Sequence, residues 1–405
     1  MTTRRQFIKT AALLGIGSLS GRALGAFAAE RTIALPFANG SRPLSTDFPQ
    51  KAAMIVLRSR PPLLETPFEI FDKGVFTPNE YFFVRWHLAD IPTAVDTHSF
   101  RLAIHGHVAK PLSLTLNDIL HGFEPFEIVA VNQCSGNSRG FFQPRVAGGE
   151  WGNGAMGNAR WTGVRLKDVL ARAGVQAGAV QVRFNGLDRG VVAQTPDFMK
   201  SLDTDHALDG EVIIAYAMNG KPLPLLNGFP LRLVVPGWYS TYWVKMLNDI
   251  EVLDKPDDNF WMKTAYKIPD TPHANMAPGA KDVKMIPINR LVPRSFITNL
   301  RDGAVLHSGR ANPVRGIAFG GDAGVAKVML SADGGKNWQE TKLGEDFGKY
   351  SFRQWQTVVT PAQSGPQVLM VKAINTQGVA QISDVNWNPG GYMRNVIESV
   401  TVRAV

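Results

Sequence analysis

The sequence predicts an α+β protein built of two unlike parts. Three observations carry this. The first two thirds mix strand runs with short amphipathic helices. Composition then breaks at Pro269 to Asp282, a stretch of Pro, Asp, His, Ala and Gly that reads as a linker. Beyond it, short strand runs recur at the spacing of a β-sandwich: Ser295 to Asn299, Asn312 to Phe319, Ala326 to Ser331, Phe352 to Val359, Gln367 to Asn375 and Val396 to Val402. Turns such as Ala332-Asp333-Gly334-Gly335 join them, and the pattern is Ig-like without a disulfide. The length of 405 residues suits two or three domains, and 44% hydrophobic residues supply an ample core.

At the N-terminus, Thr3-Arg4-Arg5-Gln6-Phe7-Ile8-Lys9 resembles the twin-arginine export signal. A moderately apolar run, Ala11 to Leu19, follows, too short to span a bilayer, then small residues suited to cleavage after Ala28. The competing reading is a basic amphipathic helix. We read residues 1–28 as a signal peptide and expect a periplasmic protein exported folded, often with its cofactor already inserted. Elsewhere no stretch reaches 18 apolar residues, so no membrane span is expected. Cleavage removes four basic residues and leaves 39 basic against 34 acidic, a net charge of +5. That is too mild for nucleic-acid binding and has no basic stripe interleaved with aromatics. It suits an anionic substrate or an acidic redox partner.

Residues 30 to 66 read as an extended lead-in to a catalytic domain spanning 45–270. Thr77 to Leu88 is a turn followed by a strand. Alternation puts Phe83, Arg85 and His87 on one face. An Arg and a His sharing a strand face suit an anion site, or else a salt-bridged surface strand. Thr115 is an expected helix N-cap with Asp118 at N3. His105 and His107 flank a glycine turn, and without a third ligand nearby they read as structural.

The only cysteine, Cys134, follows a β-branched run, Ile128, Val129 and Val131, and precedes Ser135-Gly136-Asn137-Ser138-Arg139. A buried strand should break there into a tight turn, with backbone N–H groups and Arg139 near the sulfur. Such a setting favours the thiolate, the form that binds metals or attacks carbonyls. The plain alternative is a small buried hydrophobe. One cysteine excludes a disulfide framework, a Cys₄ zinc site and a protein-ligated iron–sulfur cluster.

Trp151 to Val164 reads as a loop rich in glycine and asparagine, neither a phosphate-binding Walker loop nor a dinucleotide fingerprint. Arg165 to Gly174 reads as an amphipathic helix closed by glycine. Val182 to Asp188 is a strand ending in a turn, and Met218-Asn219-Gly220-Lys221 signals a hairpin. Asn227-Gly228-Phe229-Pro230-Leu231-Arg232, Trp243-Val244-Lys245 and Phe260 to Tyr266 complete the domain. Taken alone, Tyr266 is a core-edge aromatic.

These stretches together resemble the sulfite oxidase family of molybdenum enzymes, nearest its bacterial periplasmic sulfite dehydrogenases. The resemblance rests on Asn132-Gln133-Cys134-Ser135-Gly136-Asn137, on Phe83-Val84-Arg85-Trp86-His87 with Trp in place of the family's Asn, on Gly-Ala-x-x-Asn-Ala-x-Trp-x-Gly-Val at 154–164, and on Asn227-Gly228-Phe229-Pro230-x-Arg232, where animal members have His first. It extends to the C-terminal part, 283–405, through Ser331 to Trp338 and Trp387-Asn388-Pro389-Gly390-Gly391-Tyr392, which resemble the dimerisation domain of molybdopterin oxidoreductases. The fold implied is a mixed sulfite-oxidase-type molybdopterin domain followed by an Ig-like dimerisation sandwich, whose task would be subunit contact rather than chemistry.

The resemblance implies molybdenum with one molybdopterin as cofactor and Cys134 as its protein ligand. It implies oxidation of sulfite to sulfate by oxygen-atom transfer, with electrons passed singly to a c-type cytochrome. Arg85, His87, Arg139 and Tyr266 would form the catalytic set, with Arg85 and Arg139 offsetting substrate charge. Phe83, Val84, Arg85, Trp86, His87, Cys134, Asp188, Asn227, Arg232, Trp243, Val244 and Lys245 would contact the cofactor. No C-x-x-C-H haem motif occurs, so no haem is expected in this chain. The cytochrome would be a separate acceptor or a subunit, in a homodimer or a heterodimer. Three other readings stand beside this one: a methionine sulfoxide reductase of the same fold, a cysteine hydrolase with Cys134 as nucleophile and His87 as base, and an exported binding protein without catalysis.

Overall fold

A computed structural model describes residues 31–405. The expected signal peptide lies outside the described residues. No helix among the described residues is long and apolar enough to cross a membrane.

The lead-in segment is not merely extended. It forms an antiparallel sheet in the order Thr32–Ala34, Ser41–Ser45, Met54–Arg58, Leu63–Glu65 and Val84–Arg85. The sheet begins upstream of residue 45, because chain pairing, not composition, sets its limit. Its last strand is the one that bears Arg85.

Two further sheets make the body of this domain. One runs Lys200–Asp203, Gln181–Gly186, Leu247–Leu253, Arg101–Gly106, Leu112–Thr115, with a single parallel pair between Leu247–Leu253 and Arg101–Gly106. The helix Leu116–His121 follows, closed at its start by the expected capping box of Thr115 and Asp118. His105 bonds Asp249 and His107 bonds the Ala177 carbonyl, so both histidines are structural.

The other sheet runs Lys221–Pro222, Ile213–Met218, Met156–Arg165, Pro125–Gln133, with Arg232–Val234 also paired to Ile213–Met218. Here the expected loop at 151–164 is corrected. Residues 156–165 form a ten-residue strand in register with Pro125–Gln133. Its glycines are there for close approach rather than for turns. A Cβ on Gly163 would lie 2.1 Å from the Ile214 carbonyl oxygen, and one on Gly157 would lie 2.6 Å from the Phe82 ring. The helix Leu166–Ala173 then ends at Gly174, whose φ is 72°. The hairpin at Asn219-Gly220 has both central residues at positive φ, as a type I′ turn requires.

The six expected sandwich strands form, as Arg294–Ile297, Asn312–Phe319, Val325–Ser331, Arg353–Val359, Gly365–Asn375 and Glu398–Ala404. They divide between a four-stranded and a five-stranded sheet packed around Trp355, Leu330, Leu369 and Val371. The expected linker is part of a ribbon instead: Lys267–Pro269 pairs with Met285–Pro287. Asn386 and Asn388 donate to the His273 and Ala274 carbonyls and clamp the loop between them.

The two parts share an apolar seam of Phe71, Val131 and Met156 against Phe296, Ile317, Phe319 and Phe352. Burying each such phenylalanine contributes about 1.5–3 kcal/mol. Val131 donates its N–H to the Tyr350 carbonyl across this seam at 2.8 Å. The strand leading to Cys134 is therefore supported from both domains.

Candidate active site around Cys134

The strand Pro125–Gln133 ends one residue before Cys134, which is 5% exposed. The turn is fastened on several sides. Cys134 N–H donates to the Ala155 carbonyl and the Asn137 N–H returns to the Cys134 carbonyl. Asn137 Oδ1 accepts from Ala155 N–H at 2.9 Å. Ser138 sits at φ 70°, an uncommon conformation for a non-glycine residue. Its hydroxyl donates to Asn153 Oδ1 at 2.6 Å and accepts from Arg294 Nη1 of the sandwich at 2.9 Å. Behind the turn, buried Glu65 accepts from the Gly152 and Gly154 N–H groups.

Cys134 faces a cavity that is partly open to solvent. Of the residues expected at a site, the fold brings Phe83, Val84, Arg85, His87, Cys134, Asn227, Arg232, Lys245 and Tyr266 to its wall. The Phe83, Arg85 and His87 alternation survives even though the strand there is only Val84–Arg85. Asn132, Ser135, Phe198, Leu226, Ser240 and Thr241 also line the cavity. Of these, Asn132 and Ser135 fall inside the cysteine motif, whereas Phe198, Ser240 and Thr241 carry no local signal.

Five expected contacts are displaced from the cavity wall. Arg139 donates to the Gly149 and Gly390 carbonyls, both at 3.0 Å, and lies over the Tyr392 ring. The turn throws its side chain toward the sandwich, so it is tied to backbone rather than free beside the sulfur. Gly136 makes room for it: a Cβ there would lie 2.3 Å from the guanidinium. Trp86 points away from Arg85 into a core, donating Nε1–H to the Leu226 carbonyl at 3.0 Å. Trp243 is buried against Trp161 and donates to the Trp238 carbonyl. Val244 packs in the same core. Asp188 is buried behind Lys245 and faces it electrostatically.

Tyr266 and His87 form the polar corner of the cavity, with Tyr266 Oη and His87 Nε2 2.5 Å apart. The His87 ring stacks on Phe198 at 3.5 Å and meets Trp261 edge-on. Burial, with Arg85, Lys245, Lys200 and Arg58 adding repulsion, holds His87 well below its ordinary pKa. It is therefore neutral at physiological pH. Burial likewise pushes the Tyr266 phenol up, so it keeps its proton. Tyr266 stacks on Tyr392 of the C-terminal segment at 5.4 Å. The Arg85 guanidinium lies 6.0 Å from its ring centroid.

The electrostatics of the cavity are one-sided. Burial lowers Lys245 to about 7, and Lys51 and Lys200 also to about 7. Six lining side chains each leave a buried atom without a partner among the described residues: Arg85 Nη1, His87 Nδ1, Asn132 Nδ2, Ser135 Oγ, Arg232 Nε and Thr241 Oγ1. Buried polar groups are normally satisfied. A cavity with surplus cations and free donors is built for an anion with many acceptors.

Residues 88–261 match the oxidoreductase molybdopterin binding domain, and residues 286–404 match the Mo-co oxidoreductase dimerisation domain. The chain is 35% identical to mitochondrial sulfite oxidase of Mus musculus over 391 residues, 91% of this chain and 69% of that protein. It is 29% identical to sulfite oxidase of Arabidopsis thaliana over 395 residues, 91% of this chain and 98% of that protein. In fold it is similar to the crystal structure of the sulfane dehydrogenase SoxCD from Paracoccus pantotrophus, with a TM-score of 0.71 at 23% identity, covering 94% of this chain and 92% of that one.

Proposed function

The chain belongs to the sulfite oxidase family of molybdopterin oxidoreductases, and from that membership we propose that it oxidises sulfite to sulfate and passes the electrons singly to a c-type cytochrome. The overall change is sulfite plus water to sulfate, two protons and two electrons.

The cavity fits molybdenum held by one molybdopterin. Cys134 would hold the metal together with the pterin. A buried cysteine sulfur belongs among the soft ligands such a metal takes. Arg232, Lys245 and the free donors of Asn132 and Thr241 suit the anionic end of the pterin. Bound there, the group would supply the oxygen-atom transfer and the two-electron store.

The chain's own residues do the rest. Arg85 carries a free Nη1 at the cavity wall and offsets the charge of the incoming oxyanion. Tyr266, protonated and fixed by neutral His87, offers a hydroxyl hydrogen bond at the same corner. Phe198 and Trp261 hold the His87 ring. Arg139 acts through position, bracing the turn of Cys134. The sandwich suits a dimer, as its matched domain is a dimerisation domain. The N-terminal twin-arginine resemblance supports export to the periplasm, and with it a periplasmic acceptor and a bacterial sulfite dehydrogenase.

One observation carries this reading: the chain's single cysteine opens onto a cation-lined cavity shared with Arg85, His87 and Tyr266. The test is sulfite-dependent ferricyanide reduction by the molybdenum-loaded protein, with Cys134→Ser beside it. Activity lost in the variant is expected. A loaded wild type that ignores sulfite but reduces methionine sulfoxide would overturn the reading.

A further inference from the structure

Lys51 lies in the lead-in segment, far in sequence from the residues of the cavity, and no motif marks it. It is 8% exposed. Its ammonium donates to the Asn79 carbonyl at 2.8 Å, the Phe82 carbonyl at 2.8 Å and Asn227 Oδ1 at 2.5 Å. Those three bonds use all three of its protons. Asn227 in turn donates Nδ2–H to the Phe83 carbonyl at 3.1 Å, and its own carbonyl accepts from Arg232 Nη1 at 3.0 Å. Arg232 Nη2 then reaches Asn132 Oδ1 at 3.3 Å. One chain of hydrogen bonds thus runs from Lys51 to the strand of Arg85 on one side. On the other it runs to Arg232 and the cysteine motif.

Three acceptors call for the protonated amine, whose charge still lacks a full counter-charge. A buried cation costs several kcal/mol unless something compensates it. Among the described residues Lys51 makes no salt bridge. Arg232 repels it, and Glu80 is the acid that offsets it in part. Arg232 and Lys245 stand in the same condition around the same cavity. The cavity wall is one side chain away, through Asn227.

We propose that Lys51 is a positioning residue for the cofactor: it fixes Asn227 and Arg232 at the cavity wall and adds a third buried positive charge toward the anionic end of the pterin. This rests on the molybdopterin reading above, but not on sulfite being the substrate.

The experiment uses the full chain expressed with cofactor. Molybdenum and pterin per chain are measured for wild type, Lys51→Met and Lys51→Arg, together with the rate of pterin release on dilution. Lys51→Met should retain less than a fifth of the wild-type pterin and release it faster, while Lys51→Arg restores most of it. Cofactor-free Lys51→Met should still show the wild-type circular dichroism. Should it not yield folded protein, Lys51→Gln replaces it, since glutamine keeps two N–H donors for the neighbouring carbonyls and removes the charge. The same loss is expected. Wild-type pterin content and release rate in whichever neutral variant folds would overturn the proposal. Pterin content is read without turnover, so a loaded wild type that is inactive on sulfite would count against the substrate reading and leave this test intact.

Discussion

The Arg294 guanidinium, wholly buried at the edge of the sandwich, donates to the Ser138 hydroxyl at 2.9 Å, and its other end pairs with Glu398. The second domain therefore holds the turn that carries Cys134. With Tyr392 stacked on Tyr266, it also forms part of the cavity's surroundings. Arg294→Met leaves Glu398 with Arg394 alone and Ser138 at positive φ with fewer restraints. The expected cost is about 3 kcal/mol, read as a shift in the urea midpoint, with cofactor content falling in parallel. An unchanged midpoint would show that the contact does not hold the turn.

Tyr266→Phe removes one hydroxyl and leaves His87 Nε2 without its partner at 2.5 Å. One hydrogen bond of about 1.4 kcal/mol corresponds to tenfold in rate. Steady-state turnover of sulfite should fall at least that much, with cofactor content unchanged. Equal turnover would remove Tyr266 from the reacting corner.

The two arginines should separate. Arg85→Met loses a free guanidinium at the cavity wall and should raise the KM for sulfite about tenfold or more, the worth of one charged hydrogen bond. Arg139→Met loses bonds to the Gly149 and Gly390 carbonyls. It should cost about 1–2 kcal/mol in stability and change KM much less. A large KM effect in Arg139→Met would return it to the substrate.

Cofactor-free protein should grow more stable as pH rises from about 7 toward 10. Lys51, Lys200 and Lys245 are lowered to about 7 in the folded chain, against about 10.4 unfolded. In that window the unfolded state holds more protons, so raising pH favours the fold. Above it, the raised phenols of Tyr239, Tyr242 and Tyr266 reverse the slope. A bound anionic cofactor raises the lysines and should flatten the curve. Thermal midpoints of both forms across this range provide the check, and a flat curve for the cofactor-free form would contradict the burial of uncompensated lysines.

Gly163→Ala places a methyl 2.1 Å from the Ile214 carbonyl oxygen, between two paired strands. The neighbour is backbone and cannot yield cheaply. A loss of about 1–3 kcal/mol is expected by chemical denaturation. A neutral result would show that the strand pair can spread.

The sequence alone determined the strand into Cys134 and its turn, the shared face of Phe83, Arg85 and His87, the capped helix after Thr115, and the six strands of the sandwich. These depend on periodicity, turn residues and caps, which act within a few residues of the chain. It misread 156–164, because glycine and asparagine signal loops unless one sees what packs over them; Phe82 and Ile214 do so here, and both come from elsewhere in the chain. Only the tertiary structure decided which side chains meet. It turned Trp86, Trp243 and Val244 into core and tied Arg139 to Gly390, 251 residues away. It set Arg294 under the cysteine turn and brought Lys51, 176 residues from Asn227, behind the cavity. The ends of long side chains take their partners from whatever packing places within reach, and that depends on the closure of the whole chain rather than on local pattern.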